Sequence, residues 1–149
     1  MHRLVGRLNY IHRPYLKVDQ DINTKFVASL CEFMVTPIHL ISLLEWRPLT
    51  DMETAAIGTV WKYIADMMGI DYRAVLRRDR WKDGIDFVED LIRWGRRYED
   101  EHVRHTETVA KLGNALQSLH MSAYPKFARP FLRKVEGIVV GERYRRAFG

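Results

Sequence analysis

The stretch Thr50-Asp51-Met52-Glu53, running on through Ile57, Val60, Trp61, Ile64 and Met68 to Gly69, spells out a helix from its first residue to its stop. Thr50 and Glu53 have the spacing of a capping box, in which each side chain accepts from the other's exposed amide. Gly69 supplies the left-handed residue that ends such a helix without a Cβ penalty. Upstream, the loop Trp46-Arg47-Pro48-Leu49 leads into this start. Before it, Ile22, Phe26, Val27, Leu30, Phe33 and Met34 recur at helical spacing with Asp21 as the expected N-cap. Pro37 is expected to interrupt or restart that helix, leaving Ile38 to Trp46 as a second apolar segment. Downstream, Asp71 to Arg80 reads as a short helical turn and a basic loop. A helix from near Asp83 carries Ile85, Val88, Leu91, Ile92, Gly95 and Tyr98 along one side, and Glu99 to His105 reads as a polar connection. Two further helices are expected, Thr106 to Met121 with Val109, Leu112, Leu116 and Leu119 inward, and Pro130 to Ala147. No run of four or more residues alternates cleanly at period two, so a sheet is not supported. The expectation is an all-α fold: one helical domain of about six helices over residues 1–149.

Composition narrows the class. At 149 residues, 47% apolar and 29% charged, the chain can bury a core and is not disordered throughout. Cys31 is the single cysteine, which excludes an internal disulfide framework, a Cys-rich zinc module and covalent haem attachment through Cys-x-x-Cys-His. Charged residues interrupt each apolar run, so no transmembrane span is expected, and Met1-His2-Arg3 does not open a signal peptide. The chain alone therefore reads as soluble and intracellular. Its formal charge of +5 permits anionic partners without requiring them.

Several groups could carry chemistry. His12 closes an amphipathic N-terminal helix just ahead of Pro14. A helix-borne histidine among apolar neighbours can ligate haem iron, and Arg7 could pair with a propionate. Equally, a histidine at a helix C-terminus simply suits the dipole, and spacing alone favours that second reading. Glu99 and His102 form a Glu-x-x-His pair, half of a di-iron site, and His102 with His105 and Glu99 could instead hold zinc, but the sequence offers no second Glu-x-x-His and no further strong zinc ligand, so a solvated acidic helix end is expected. Arg77, Arg78, Arg80 and Lys82 around Trp81, and Arg143, Arg145 and Arg146 near the end, read as solvated basic faces that could lie against an anionic membrane. Asp79, Asp83 and Asp86 dilute the first group and no groove-reading motif is present, so no nucleic-acid partner is expected. Trp46, Trp61, Trp81 and Trp94 are expected in the core, and Cys31 as a small buried hydrophobe.

The order of whole segments is more specific than any of these. Arg7-x-x-x-x-His12 with Tyr15, Phe26 to Pro37, Glu45-Trp46-Arg47-Pro48-Leu49-Thr50-Asp51-x-Glu53, Trp61-Lys62 to Met68-Gly69-Ile70, Trp81-x-Asp83-Gly84, Trp94 to Tyr98-Glu99, Pro130, and Gly141-Glu142-Arg143-x-Arg145 follow one another along the chain. This series resembles the MpaB/rubber-oxygenase family, most closely its fungal branch bound to the endoplasmic reticulum. One departure is Ala65, where the family tends to have glycine.

The resemblance implies an all-helical oxygenase dependent on haem b that uses dioxygen to cleave carbon–carbon double bonds in isoprenoid or other apolar chains. It implies His12 as the iron ligand and Arg7 as its supporting residue. Relatives carry further helices upstream, and the fungal branch a membrane anchor, so the chain is expected to be the C-terminal part of a larger haem-binding domain. The full-length protein would sit at the endoplasmic-reticulum membrane. The competing expectation is a non-catalytic helical module that binds a partner protein or an anionic membrane surface.

Overall fold

The computed structural model describes residues 2–19 and 21–148, with the side chains of all but positions 17, 143, 144 and 148. Met1, which opens the expected leader-free start, and the side chain of Arg143, in the basic C-terminal run, lie outside the described residues. Among the described residues eight helices follow in order: α1 (His2–His12), α2 (Ile22–Leu44), α3 (Asp51–Met68), α4 (Tyr72–Leu76), α5 (Gly84–His102), α6 (Glu107–Ser122), α7 (Arg129–Val139) and α8 (Glu142–Phe148). A 3-10 turn, Tyr15–Lys17, follows α1. No strand occurs among the described residues, so the all-α expectation holds. Internal contacts divide the chain into two compact units, Met1–Tyr98 and Glu99–Gly149.

The first unit is built on α2. Its residues Val27, Leu30, Cys31 and Met34 form one buried stripe, joined in the core by Ala65, Ile70, Tyr72, Phe87, Val88 and Leu91. Burial of each large side chain in this set contributes about 1.5–3 kcal/mol. The core requires close approach at two glycines. A Cβ on Gly58 would lie 2.3 Å from the Gly84 carbonyl oxygen, and one on Gly84 would lie 2.2 Å from that of Ala55. Helix α3 and the first residue of α5 thus touch backbone to backbone. Farther along α5, Gly95 faces Cys31, whose thiol points at the Leu91 carbonyl 3.6 Å away. Cys31 is buried, as expected of a small hydrophobe.

Local signals place most helix ends correctly. Thr50 and Glu53 form the full capping box, and Gly69 adopts φ 73° with its N–H on Ala65 and Asp66. Asp71, Asp83 and Thr106 each accept from the amide three residues on, at 3.2, 2.9 and 3.1 Å.

Five expectations need correction. Helix α2 runs unbroken through Pro37. The lost N–H is outweighed because the apolar row Val27, Leu30, Met34, Ile38 packs on the core on both sides of the proline. Asp21 makes no side-chain cap; Asp19 accepts from the Asp21 amide and pairs with Lys25 instead. Helix α5 continues to His102, with Arg104 bonded to the Asp100 and Val103 carbonyls just beyond it. The last segment divides into α7 and α8 at Gly141, which takes φ 85°. In α6 the leucine row faces out: Leu112, Leu116 and Leu119 are 61%, 45% and 65% exposed. The side turned inward carries Gly113 and Met121, because α6 packs against α7 and α8 in the second unit.

The absence of an apolar span also needs revision. Within its 23 residues α2 holds only two charges, Lys25 and Glu32, and by length and composition it is long and apolar enough to cross a membrane. Its inner stripe belongs to the core described above, while Phe33, Leu43 and Leu44 are exposed.

Replacing Gly84 by alanine is expected to destabilise the first unit by about 1–3 kcal/mol, because a backbone carbonyl cannot swing aside. Gly6→Ala, with nothing near the new Cβ, is expected instead to stabilise by about 0.5–1 kcal/mol. Urea unfolding of both variants checks the pair.

Candidate functional site

The N-terminal helix is set by three residues on one side. Val5 is buried, Asn9 donates through Nδ2 to the Met67 carbonyl at 2.9 Å, and His12 follows at the same helical position one turn later. These contacts dock α1 on α3 and carry His12 to Phe26 of α2, where the rings meet at a centroid distance of 5.0 Å and 49°. The imidazole is half-buried, and its Nδ1 is enclosed with no hydrogen-bond partner. A buried ring nitrogen without a partner loses hydration and regains nothing, so it marks a position suited to a hydrogen-bond partner or a metal ion. Arg7 lies five residues before His12, hence on a different side of the helix, and is exposed. The structure does not bring the two side chains together.

A second arrangement surrounds the start of α3. Arg47 grips Glu53 with two hydrogen bonds of 2.8 and 2.9 Å, while Glu53 also accepts from the Thr50 amide at 2.8 Å and the Thr50 hydroxyl at 2.9 Å. The guanidinium hydrogen bonds, followed by those from Thr50, hold the Glu53 carboxyl well below the usual range. Arg47 also lies 5.3 Å from the centre of the Trp46 ring. Trp46 is 88% exposed, which corrects its expected place in the core: it sits in the bend after α2, where a cation covers one face of the ring. The Trp46-to-Glu53 block is thus a surface clasp that fixes the entry into α3.

Around Trp81 the sequence reading of a solvated basic face is only partly right. Tyr72, Trp81 and Phe87 pack edge to face, with centroids 4.9–5.7 Å apart. Trp81 donates to Asp90 at 2.9 Å, and Lys62 and Arg78 lie over its ring at 5.7 and 5.8 Å. Arg78 is bidentate to Asp86, which also accepts from the Lys82 amide. Those bonds, the guanidinium first, lower the Asp86 carboxyl below its ordinary value. Burial pushes the Tyr72 phenol up. Arg78 is therefore committed to an internal clamp, a role the spacing gave no sign of, since its partner Asp86 is eight residues away on the next helix. Trp61 and Trp94 pack against the core as expected.

Glu99 and His102 occupy the last turn of α5, and His105 faces the Ala147 carbonyl at 3.0 Å. Among the described residues no group of three or more His, Cys, Asp or Glu is placed to hold a metal ion. A cleft of about 370 Å³ in the second unit is lined by Val103, Arg104, His105, Glu142, Arg146 and Ala147.

Comparison with known proteins bears out the resemblance to the fungal MpaB-like proteins. The chain is 27% identical over 144 residues to the ER-bound oxygenase mpaB of Penicillium roqueforti, covering 96% of this chain and 48% of that protein. It is 26% identical to the ER-bound oxygenase mpaB' of Penicillium brevicompactum, across 96% of this chain and 34% of the relative. The ER-bound oxygenase mpaB of Penicillium brevicompactum is 32% identical over 100 residues, 66% of this chain and 26% of the relative. No family model and no solved structure matches. The chain spans about half the length, or less, of these relatives. It is an all-helical homologue of proteins named as oxygenases. The relatives compared above are MpaB proteins of Penicillium.

The depressed Glu53 and Asp86 carboxyls set a direction for pH. Groups whose folded values lie below their unfolded ones stabilise fully above the unfolded value, about 4, and lose that stability as pH falls through the folded value. Melting temperature is therefore expected to drop between pH 5 and pH 3, and to drop less in Glu53→Gln; equal acid sensitivity in the variant would contradict the clasp.

Proposed function

We propose that this chain is part of a haem-dependent oxygenase in which His12 supplies the protein's nitrogen to the iron. The observation that carries the reading is the enclosed, unpartnered Nδ1 of His12, in a chain whose homologues are named oxygenases. An imidazole nitrogen is an established iron donor, and the residues present fit that role. Haem, when bound, supplies dioxygen activation for oxidative cleavage of a carbon–carbon double bond in an apolar, isoprenoid-like chain.

The protein's part is positioning. Val5 and Asn9 fix the rotation of α1, and Phe26 limits the tilt of the imidazole. Arg7, exposed on another side of α1, would offer its guanidinium to a propionate. The relatives' names also support a location at the endoplasmic-reticulum membrane for the whole protein.

Protein purified from cells supplied with haem precursor is expected to show a Soret band, and His12→Ala to lose it while keeping its helical circular dichroism. A band unchanged in folded His12→Ala would remove His12 from the site. A folded parent without any band would refute the haem reading for this chain.

A further inference from the structure

Helix α7 is set apart by what it leaves uncovered. None of its residues is buried. Phe131, Val135 and Ile138 follow at i, i+4 and i+7, forming one row along the helix, and are 69%, 39% and 72% exposed. Phe127, one turn ahead of Phe131, is 88% exposed and extends the row past the helix start. Such a row costs solubility unless it meets something apolar.

The charge around this row is one-sided. The only acid in α7, Glu136, turns away from it: the carboxylate is largely covered and meets His120 Nδ1 at 2.9 Å. Arg129 is also engaged, donating to the Tyr124 carbonyl at 3.0 Å. Lys134 is exposed beside the apolar row, Lys126 is exposed next to Phe127 ahead of the helix, and Arg133 is exposed on the opposite side of α7. Over positions 123–149 the sequence has seven basic residues against two acidic ones, so this stretch carries all of the chain's formal +5.

We propose that α7 docks in the plane of an anionic lipid bilayer, with Phe127, Phe131, Val135 and Ile138 entering the acyl boundary, Lys126 and Lys134 meeting lipid phosphates and carboxylates, and Arg133 facing water. An amphipathic helix of low net hydrophobicity, with aromatic residues on one face and Lys/Arg on the other, has the design of an interfacial helix. A single convex row suits a soft phase that closes around it, and flanking cations need only reach the headgroups, with no fixed geometry. Neither term is strong alone, so binding is reversible and falls as salt screens the charges. The inference needs no cofactor and goes beyond the oxygenase reading: loss of the Soret band leaves it intact.

The test is flotation of the full chain with vesicles of phosphatidylcholine alone and with about one-third phosphatidylserine. The chain is expected to float with the anionic vesicles at low salt, to be released as salt rises, and to remain behind with phosphatidylcholine alone. Lys134→Gln is expected to weaken partition about fivefold. The double variant Phe127→Ser, Phe131→Ser is expected to lose flotation while keeping its circular dichroism, since both side chains are exposed. An environment-sensitive dye placed through Ile138→Cys is expected to shift to the blue with anionic vesicles, and the same dye through Arg133→Cys to shift little; Cys31 is buried and does not compete. Equal flotation of the double phenylalanine variant would overturn the proposal. So would absence of flotation together with self-association that the same variant abolishes, which would assign the row to a second copy of the chain.

Discussion

Where α3 passes the first residue of α5, the two backbones leave no room for a side chain. Gly58 and Gly84 face each other there, and a Cβ on either would fall within 2.3 Å of a carbonyl oxygen. That approach sets the start of α5, and with it the places of Phe87, Val88 and Leu91 in the core beside Val27, Leu30 and Met34. It also fixes α3 as the platform on which α1 lies. Through Val5 and the Asn9–Met67 hydrogen bond, the same platform decides where His12 ends up. A steric constraint between two glycines thereby reaches the His12 nitrogen that is enclosed without a partner.

The surface clasps make the helix connections specific rather than strong. Arg47, Glu53 and Thr50 tie the loop before α3, and Arg78 with Asp86 ties the loop before α5. These groups are accessible to water, where an isolated ion pair adds little. Their value is geometric, since each carboxylate collects a guanidinium and a backbone amide at once and so selects one path for the chain entering a helix.

Helix starts and the all-α class were legible because they depend on neighbours a few residues apart. Thr50 with Glu53, Asp71, Asp83, Thr106 and Gly69 all act within one turn. What was not legible depends on distance. Pro37 reads locally as a break, yet the apolar row either side of it packs on a core assembled from α3, α4 and α5. The Leu112, Leu116, Leu119 row reads as a core face, but α6 turns its small residue Gly113 inward instead. For the site, helical spacing gave His12 a place at the end of α1, while its enclosed nitrogen and the Phe26 contact came only from tertiary packing. The spacing of five between Arg7 and His12 already separates them around a helix, and the structure keeps them on different sides.

Chemical rescue tests the central claim most directly, because it asks whether the role of His12 is that of a nitrogen donor. In His12→Gly the account predicts that the haem absorption band is lost and returns when free imidazole is added, with the helical content unchanged throughout. A folded His12→Gly protein that holds haem with the parent spectrum before any imidazole is added would contradict it.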